Sequence, residues 1–468
     1  MPIILWTDAL VFLLIACGIG SGFYIGRREY LLASWRRVGE SRAGMAALTV
    51  LAAFIVLGLL DSLHYRPRLE AVAGQPANGY SSEVRSALDA LLLPLRSGTE
   101  KTYSAPLATH LYARETVELP DGTQARVFPR LRHGGAHLQD PVEEWARDVS
   151  WRVARGLAFA VLAGLTFAAI AVQAAALRWG VGWPAAWRRI RRGETQFAWN
   201  AVLATLAVLL LLGGPVAALA GGYHVFGTDK VGQDVLYLTL KSIRTGLVIG
   251  TITTLAMLPF AVALGIVAGY LGGWVDDVIQ YLYTTLNSIP GVLLIAASVL
   301  MMQVVIDTHP DWFATSAQRA DARLLALCFI LGVTSWTGLC RLLRAETLKL
   351  RELDYVQAAQ AFGASATGIM GRHILPNVMH IVLIAVVMDF SGLVLAEAVL
   401  SYIGIGVDPS TISFGTMINT ARLELAREPV VWWSLVAAFA FMFVLVLAAN
   451  LFSDAVRDAF DPRIAGRR

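Results

Sequence analysis

Charge is scarce in this chain. Of its 468 residues, 15% are Asp, Glu, Lys or Arg, against roughly 25% in an ordinary soluble domain. A water-soluble chain of this size could not cover itself with so little charge, which excludes a soluble enzyme, a disordered protein and a nucleic-acid reader. Cysteine is nearly missing. Cys17, Cys328 and Cys340 lie in or at the ends of apolar stretches and read as buried, inert thiols, without a disulfide framework or a metal site. Signatures of an engine are missing as well. No G-x-x-x-x-G-K-[ST] phosphate loop occurs, so ATP hydrolysis by this chain is not expected. HExxH, paired CxxC and GxSxG are absent too, so no catalytic residue and no metal ligand is predicted.

What is present is apolar. Hydrophobic residues make up 56%, and mean hydropathy is +0.60. An apolar run of about 20 residues crosses a bilayer as a helix. Nine such runs occur, near 4–25, 44–63, 155–177, 198–221, 243–270, 280–305, 323–342, 378–402 and 430–452. They are long and lack period-2 alternation, so the fold class is all-α polytopic membrane protein. Residues 4–25 read as a retained span, because the charges follow the run as Arg27 and Arg28 instead of preceding it.

The net charge of +4 is what Arg-rich loops on one side of a membrane leave behind. The stretch 27–42 holds five Arg and 188–193 holds four. The loop 341–377 and the tail PRIAGRR are also basic. Nine spans put all four on the cytoplasmic side, with the N-terminus outside and the C-terminus inside.

Residues 64–153 differ from the rest: they hold 11 basic and 11 acidic residues and no membrane-length apolar run. The topology places them outside, as a small α+β insert. ETVELPDGTQARVF (115–128) reads as two strands around a Pro-Asp-Gly turn. Segments 81–96 and 140–156 read as helices, the second with Asp140 as N-cap, Pro141 in its first turn and a direct run into the third span. The organisation is then 1–63 (two spans), 64–153 (insert), 154–197 (third span and basic linker) and 198–468 (core).

The loop 341–377, RLLRAETLKLRELDYVQAAQAFGASATGIMGRHILPN, is long and amphipathic. Its spacing predicts a helix over Tyr355–Phe362, a break at Gly363 and a second helix capped by Ser365. Pro376 sits where a first-turn proline is tolerated. Ala358 and Ala359 would let another protein approach closely.

YVQAAQAFGASATGIMGRHILPN resembles the EAA motif of ABC importer permeases of the dipeptide/oligopeptide/nickel group. HVFGTDKVGQDVL (224–236), LAEAVLSYIGIGVDPSTISFG (395–415) and SDAVRDAFDPR (453–463) match that group in the same order. The chain is similar to the C-type member of the permease pair over about 198–468. The resemblance implies a six-helix permease core preceded here by three extra helices. It implies partners: a B-type permease, two ATPase subunits that carry ATP and Mg, an extracytoplasmic binding protein and a peptide substrate. No cofactor is bound by this chain. It also implies that the motif helix docks on an ATPase, with Tyr355, Gln357, Ala358, Ala359, Gly363, His373, Leu375 and Pro376 as the coupling element.

There are departures. Gln357 stands where the family has Glu, which puts charge pairing with the ATPase in doubt. Gln233 replaces a common Arg in the outer loop that also carries Asp229 and Asp234, and Phe414 stands where Trp is frequent. Asp389 and Glu397 lie eight residues apart in the eighth span, about two turns along one face. They line the translocation path or bond between helices. Asp8 and Asp61 read as interface residues. Two alternatives stay open: a nickel, opine or antimicrobial-peptide importer, and a proton-coupled secondary carrier using Asp389 and Glu397. The insert would seat the binding protein, cover the outer mouth, or serve lipid packing and assembly.

Overall fold

The computed structural model describes residues 1–27, 29–68, 80–81, 83–118, 124–313 and 315–460. Among them, nine helical stretches are long and apolar enough to cross a membrane, in the order the hydropathy predicts.

The N-terminal part begins with a short strand, β1 (Pro2–Ile3), then α1 (Trp6–Gly26), α2 (Glu29–Glu40) and α3 (Arg42–Ser62). Ser41 caps α3 by accepting from the Gly44 N–H at 3.1 Å. The insert follows. It contains β2 (His64–Tyr65), β3 (Arg85–Ser86), α4 (Ala87–Leu91), α5 (Leu93–Ser97), β4 (Glu115–Glu118) and β5 (Gln124–Val127). The antiparallel order β1-β2-β3 pairs Ile3 with His64 and His64 with Ser86. β4 and β5 form the expected hairpin, with Glu115 opposite Val127; the Pro-Asp-Gly turn at 120–122 lies outside the described residues.

The helix expected over 81–96 is broken instead. Ser86 ends β3 and forms a capping box with Asp89, and Pro94, which has no N–H to donate, divides α4 from α5.

α6 (Pro141–Trp179) starts where the sequence places it. The Asp140 carboxylate accepts from the Val142 and Glu143 N–H groups. Its 39 residues make about 58 Å, roughly twice the hydrocarbon thickness, so the charged first turns run into the apolar span without a break. Gly180, at φ 63°, ends it. α7 (Trp183–Arg192) and α8 (Trp199–Ala220) follow.

The rest is α9 (Val235–Leu271), α10 (Gly273–Ser288), α11 (Gly291–Thr308), α12 (Ser316–Ser335), α13 (Thr337–Arg351), α14 (Asp354–Ala361), α15 (Ala366–Ile369), α16 (Leu375–Ile403), α17 (Phe414–Glu424) and α18 (Trp433–Phe460). A single wide turn, Met370–Ile374, joins α15 to α16. Two boundaries shift from the hydropathy reading. The run 280–305 is divided at Ile289–Pro290 into α10 and α11. Residues 341–351 belong to α13, so the loop proper is 352–377. The last motif, 453–463, is helical as far as Phe460.

The chain folds as two compact units. One holds the described residues of Met1–Ile3, Phe23–Thr245 and Ile412–Ala455; the other holds those of Ile4–Gly22, Gly246–Thr411 and Val456–Arg468. The insert belongs to the first. There Asp61, one residue from the end of α3, is buried against the insert. It is 3% exposed, 2.7 Å from Lys241 Nζ, and accepts from Ser86 Oγ at 2.6 Å. Lys241 also reaches Asp89 at 3.0 Å. In the second unit Asp8 is likewise buried. Cys328 and Cys340 are buried as expected, but Cys17 is exposed on α1.

Candidate functional site

The 352–377 loop is built on a buried apolar footing. Val356, Ile369, Ile374 and Val378 are fully buried against Tyr270 of α9, Tyr283 of α10 and Leu343 of α13. Gly265 and Gly269 let α9 and α13 approach closely: a Cβ on Gly265 would meet the Cys340 carbonyl at 2.8 Å, and one on Gly269 would meet Thr347 at 2.6 Å. Arg344 forks onto Asp276 at 2.5 and 2.6 Å, tying α13 to α10. That pairing, helped by a hydrogen bond from Gln280, outweighs burial and lowers the Asp276 pKa.

On this footing the loop presents an open face. Gln357, Ala358, Gly363 and Pro376 are exposed; Ala359, His373 and Leu375 are half-buried. Gln357 Nε2 donates to the Glu352 carbonyl at 3.3 Å. Tyr355 lies 6.1 Å from the His373 ring and accepts from Asn377 Nδ2 at 3.0 Å, which closes the two helices on each other. Gly363 turns the chain between them at φ 81°, a conformation that costs a side chain. Ser365 then caps α15 through the Gly368 N–H. Phe362, next to the turn, is 91% exposed. Sequence reading took it only as the end of a helix; an aromatic residue directly before a glycine turn was the available signal.

The 222–236 loop is a different kind of surface. The insert covers it with backbone hydrogen bonds. Glu100 N–H donates to the Gly232 carbonyl at 2.9 Å, Leu107 N–H to His224 at 2.9 Å, Gly135 N–H to Gly222 at 2.8 Å, and Thr228 N–H to Ser104 at 3.1 Å. Approach is so close that a Cβ on Gly232 would sit 1.9 Å from the Glu100 carbonyl oxygen, and one on Gly227 would sit 2.4 Å from that of Ser104. Both glycines have positive φ, at 75° and 73°. Of the motif residues, Asp229 makes a local turn, accepting from Val231 and Gln233 N–H at 2.9 and 2.8 Å. The Gln233 side chain is exposed. Asp234 caps α9 through the Leu236 N–H at 2.8 Å and binds His224 Nδ1 at 2.7 Å.

His224 is the centre of this seam. Its other nitrogen, Nε2, is 3.5 Å from Glu100, and both side chains are buried. Burial alone would lower the His224 pKa, but the flanking carboxylates of Asp234 and Glu100 outweigh it and raise it to about 9. Burial alone would raise Glu100. His224 and the N–H groups of Arg132, His133 and Gly134 outweigh that and hold it at about 2. Neither Glu100 nor His224 was singled out from sequence, because they are 124 positions apart.

A second strip of the insert meets 424–433. Tyr103 Oη donates to Glu424 at 3.2 Å, Tyr112 Oη donates to the Val430 carbonyl at 3.2 Å, and Tyr112 packs edge-on against Trp433. Phe414 is 1% exposed in the first turn of α17, under the Ser413 cap. It is a core residue there.

The two intramembrane acids occupy unlike places on α16. Glu397 is buried and accepts from Ser401 at 2.7 Å. Asp389 is half-buried, about 12 Å away along the helix. No cluster able to hold a metal ion occurs among the described residues.

Residues 261–466 match the family described as binding-protein-dependent transport system inner membrane component. The chain is 32% identical over 240 residues to the dipeptide transport system permease protein DppC of Lactococcus lactis subsp. cremoris, covering 51% of this chain and 64% of that one. It is 29% identical over 242 residues to the oligopeptide transport system permease protein OppC of Mycobacterium bovis, covering 52% and 77%. It is 30% identical over 241 residues to the glutathione transport system permease protein GsiD of Pectobacterium atrosepticum, covering 52% and 73%. The chain belongs to this family of membrane transport permeases, which is not a family of enzymes. Its resemblance is to the C-type permeases of peptide importers.

Proposed function

We propose that this chain is the transmembrane permease subunit of an ATP-binding cassette importer that carries peptides across the cytoplasmic membrane. It pairs with a B-type permease, two ATPase subunits that bind ATP and Mg, and an extracytoplasmic binding protein. The N-terminus and the insert lie outside, and the C-terminus and the 352–377 loop lie in the cytoplasm. The observation that carries this reading is the loop itself: exposed on one face, seated on fully buried Val356, Ile369, Ile374 and Val378 on the other. A partner that grips the exposed face moves the footing with it, because close-packed interiors transmit displacement instead of absorbing it.

In this mechanism Phe362, exposed beside the Gly363 turn, enters a cleft on the ATPase, and Gln357 contributes a hydrogen bond where the related permeases have a charge. The strip Tyr103–Tyr112 and the 222–236 loop hold the insert as a fixed platform beside the substrate entry, where the binding protein is received.

The test is Gly363→Pro. Proline cannot adopt the φ of 81° at this position. The complex should assemble in the membrane, while uptake of labelled peptide and peptide-stimulated ATPase activity are lost. Full uptake by this variant would overturn coupling through the loop.

A further inference from the structure

α7 has no role in the reading above, and its chemistry is unusual. WPAAWRRIRR places Ala186 and Ile190 fully inward, against Val172 and Ala176 of α6 and Leu203 of α8. Its other face is exposed and carries Arg188, Arg189, Arg191 and Arg192. Trp183 and Trp187 stack at 6.4 Å on its flank, 47% and 37% exposed. This is the pattern of a helix lying in the membrane interface, with tryptophans at the headgroup level.

Beside α7 the membrane helices leave a space. α6 and α8 touch at Gly156 and Gly214, where a Cβ on Gly156 would be 2.6 Å from the Gly214 carbonyl. Further along, small residues (Gly164 and Ala168 on α6, Ala204 and Ala207 on α8) line a groove of about 400 Å³. Its lining is apolar apart from Asn200 and Arg191, which stand with Trp187 beside α7. Arg42 joins them: a Cβ on Gly193 would meet Asn200 Nδ2 at 3.2 Å and Arg42 at 3.3 Å. Arg192 is near Glu194 at 3.8 Å, and Arg188 donates to the Pro184 carbonyl at 3.3 Å. The guanidinium groups of Arg189 and Arg191 have no acceptor among the described residues.

We propose that this groove is a binding site for an anionic phospholipid, its acyl chain lying between α6 and α8 and its phosphate held by Arg191 and Arg42. The groove follows spans, so its occupant is hydrocarbon there. Its mouth is cationic and donates hydrogen bonds, so the occupant ends in an anion. A phospholipid with a net negative headgroup meets both demands, and a soluble partner meets only the second. Each arginine near an anionic lipid surface adds about 1 kcal/mol.

The experiment measures phospholipid retained by the purified full-length assembly. The assembly is reconstituted in phosphatidylcholine alone or mixed with phosphatidylglycerol, then extracted into detergent. Wild type should retain phosphatidylglycerol in preference to phosphatidylcholine. R42Q/R191Q should bind it roughly thirtyfold more weakly, and R42K/R191K should keep the preference. Ala204→Trp, which fills the groove without touching a charge, should lower retention as well. Equal retention by wild type and R42Q/R191Q would overturn the site. Full retention by Ala204→Trp would reduce it to general surface charge and also overturn it. Binding of inorganic phosphate to the detergent-solubilised protein as tightly as phosphatidylglycerol would assign a bare anion site instead.

Discussion

Two surfaces of this chain use similar raw material to opposite ends. The seam between the insert and the 222–236 loop is polar and closed: His224 sits between Asp234 and Glu100, and the backbone groups of 100–107 pair with those of 224–232. The 352–377 loop is partly apolar and open, with Phe362 91% exposed over a dry footing. A surface whose backbone groups pair inside the chain offers a partner little to bind. A surface that leaves an aromatic side chain in solvent beside a turn keeps a contact to offer. The first should therefore resist mutation through stability, and the second through activity alone.

Lys241→Met should break the comparison hardest. It leaves Asp61 buried without a cation, while Asp89 keeps Arg96 and the Tyr237 hydroxyl, and an uncompensated buried charge costs about 3–5 kcal/mol. A matching fall in the denaturation midpoint of the purified protein checks it. Gly232→Ala comes next. Its methyl group cannot fit 1.9 Å from the Glu100 carbonyl, so the insert must lift, at about 3 kcal/mol. Protease sensitivity of 83–118 should rise with it.

The His224 seam should then show a signed pH dependence. Its folded pKa, about 9, is raised above the ordinary 6.5. The stabilisation is thus fully present below 6.5 and is lost as pH rises through 9, on the order of 3 kcal/mol. His224→Gln should flatten that part of the stability curve. At the open surface, Phe362→Ala should leave stability within about 0.5 kcal/mol while uncoupling ATPase activity from peptide uptake. Smallest of all, Gln357→Glu, which restores the acid of related permeases, should alter only the salt dependence of coupling.

What could be read from sequence follows from range. The nine spans were legible because apolar length is a local property, and the start of α6 was legible because Asp140-Pro141 is a local signal. The break at Gly363 and the cap at Ser365 were readable for the same reason. The seam was not. Nothing near Glu100 announces a histidine 124 residues on, and Asp61 reads as an interface residue until Lys241 is folded against it. The expected helix over 81–96 failed where Ser86 and Pro94 offered caps and a break inside an otherwise helical pattern. At Phe414, which stands where Trp is frequent in related permeases, the side chain is a buried core residue, which its position in a motif did not announce.

The short strand β1 is bound up with the fate of the insert. The Met1 ammonium donates to the Arg66 carbonyl at 2.9 Å, and Pro2–Ile3 pair with His64–Tyr65. Residues 1–3 are thereby tied to the insert, so a substitution that lifts the insert, as Gly232→Ala should, also frees this strand.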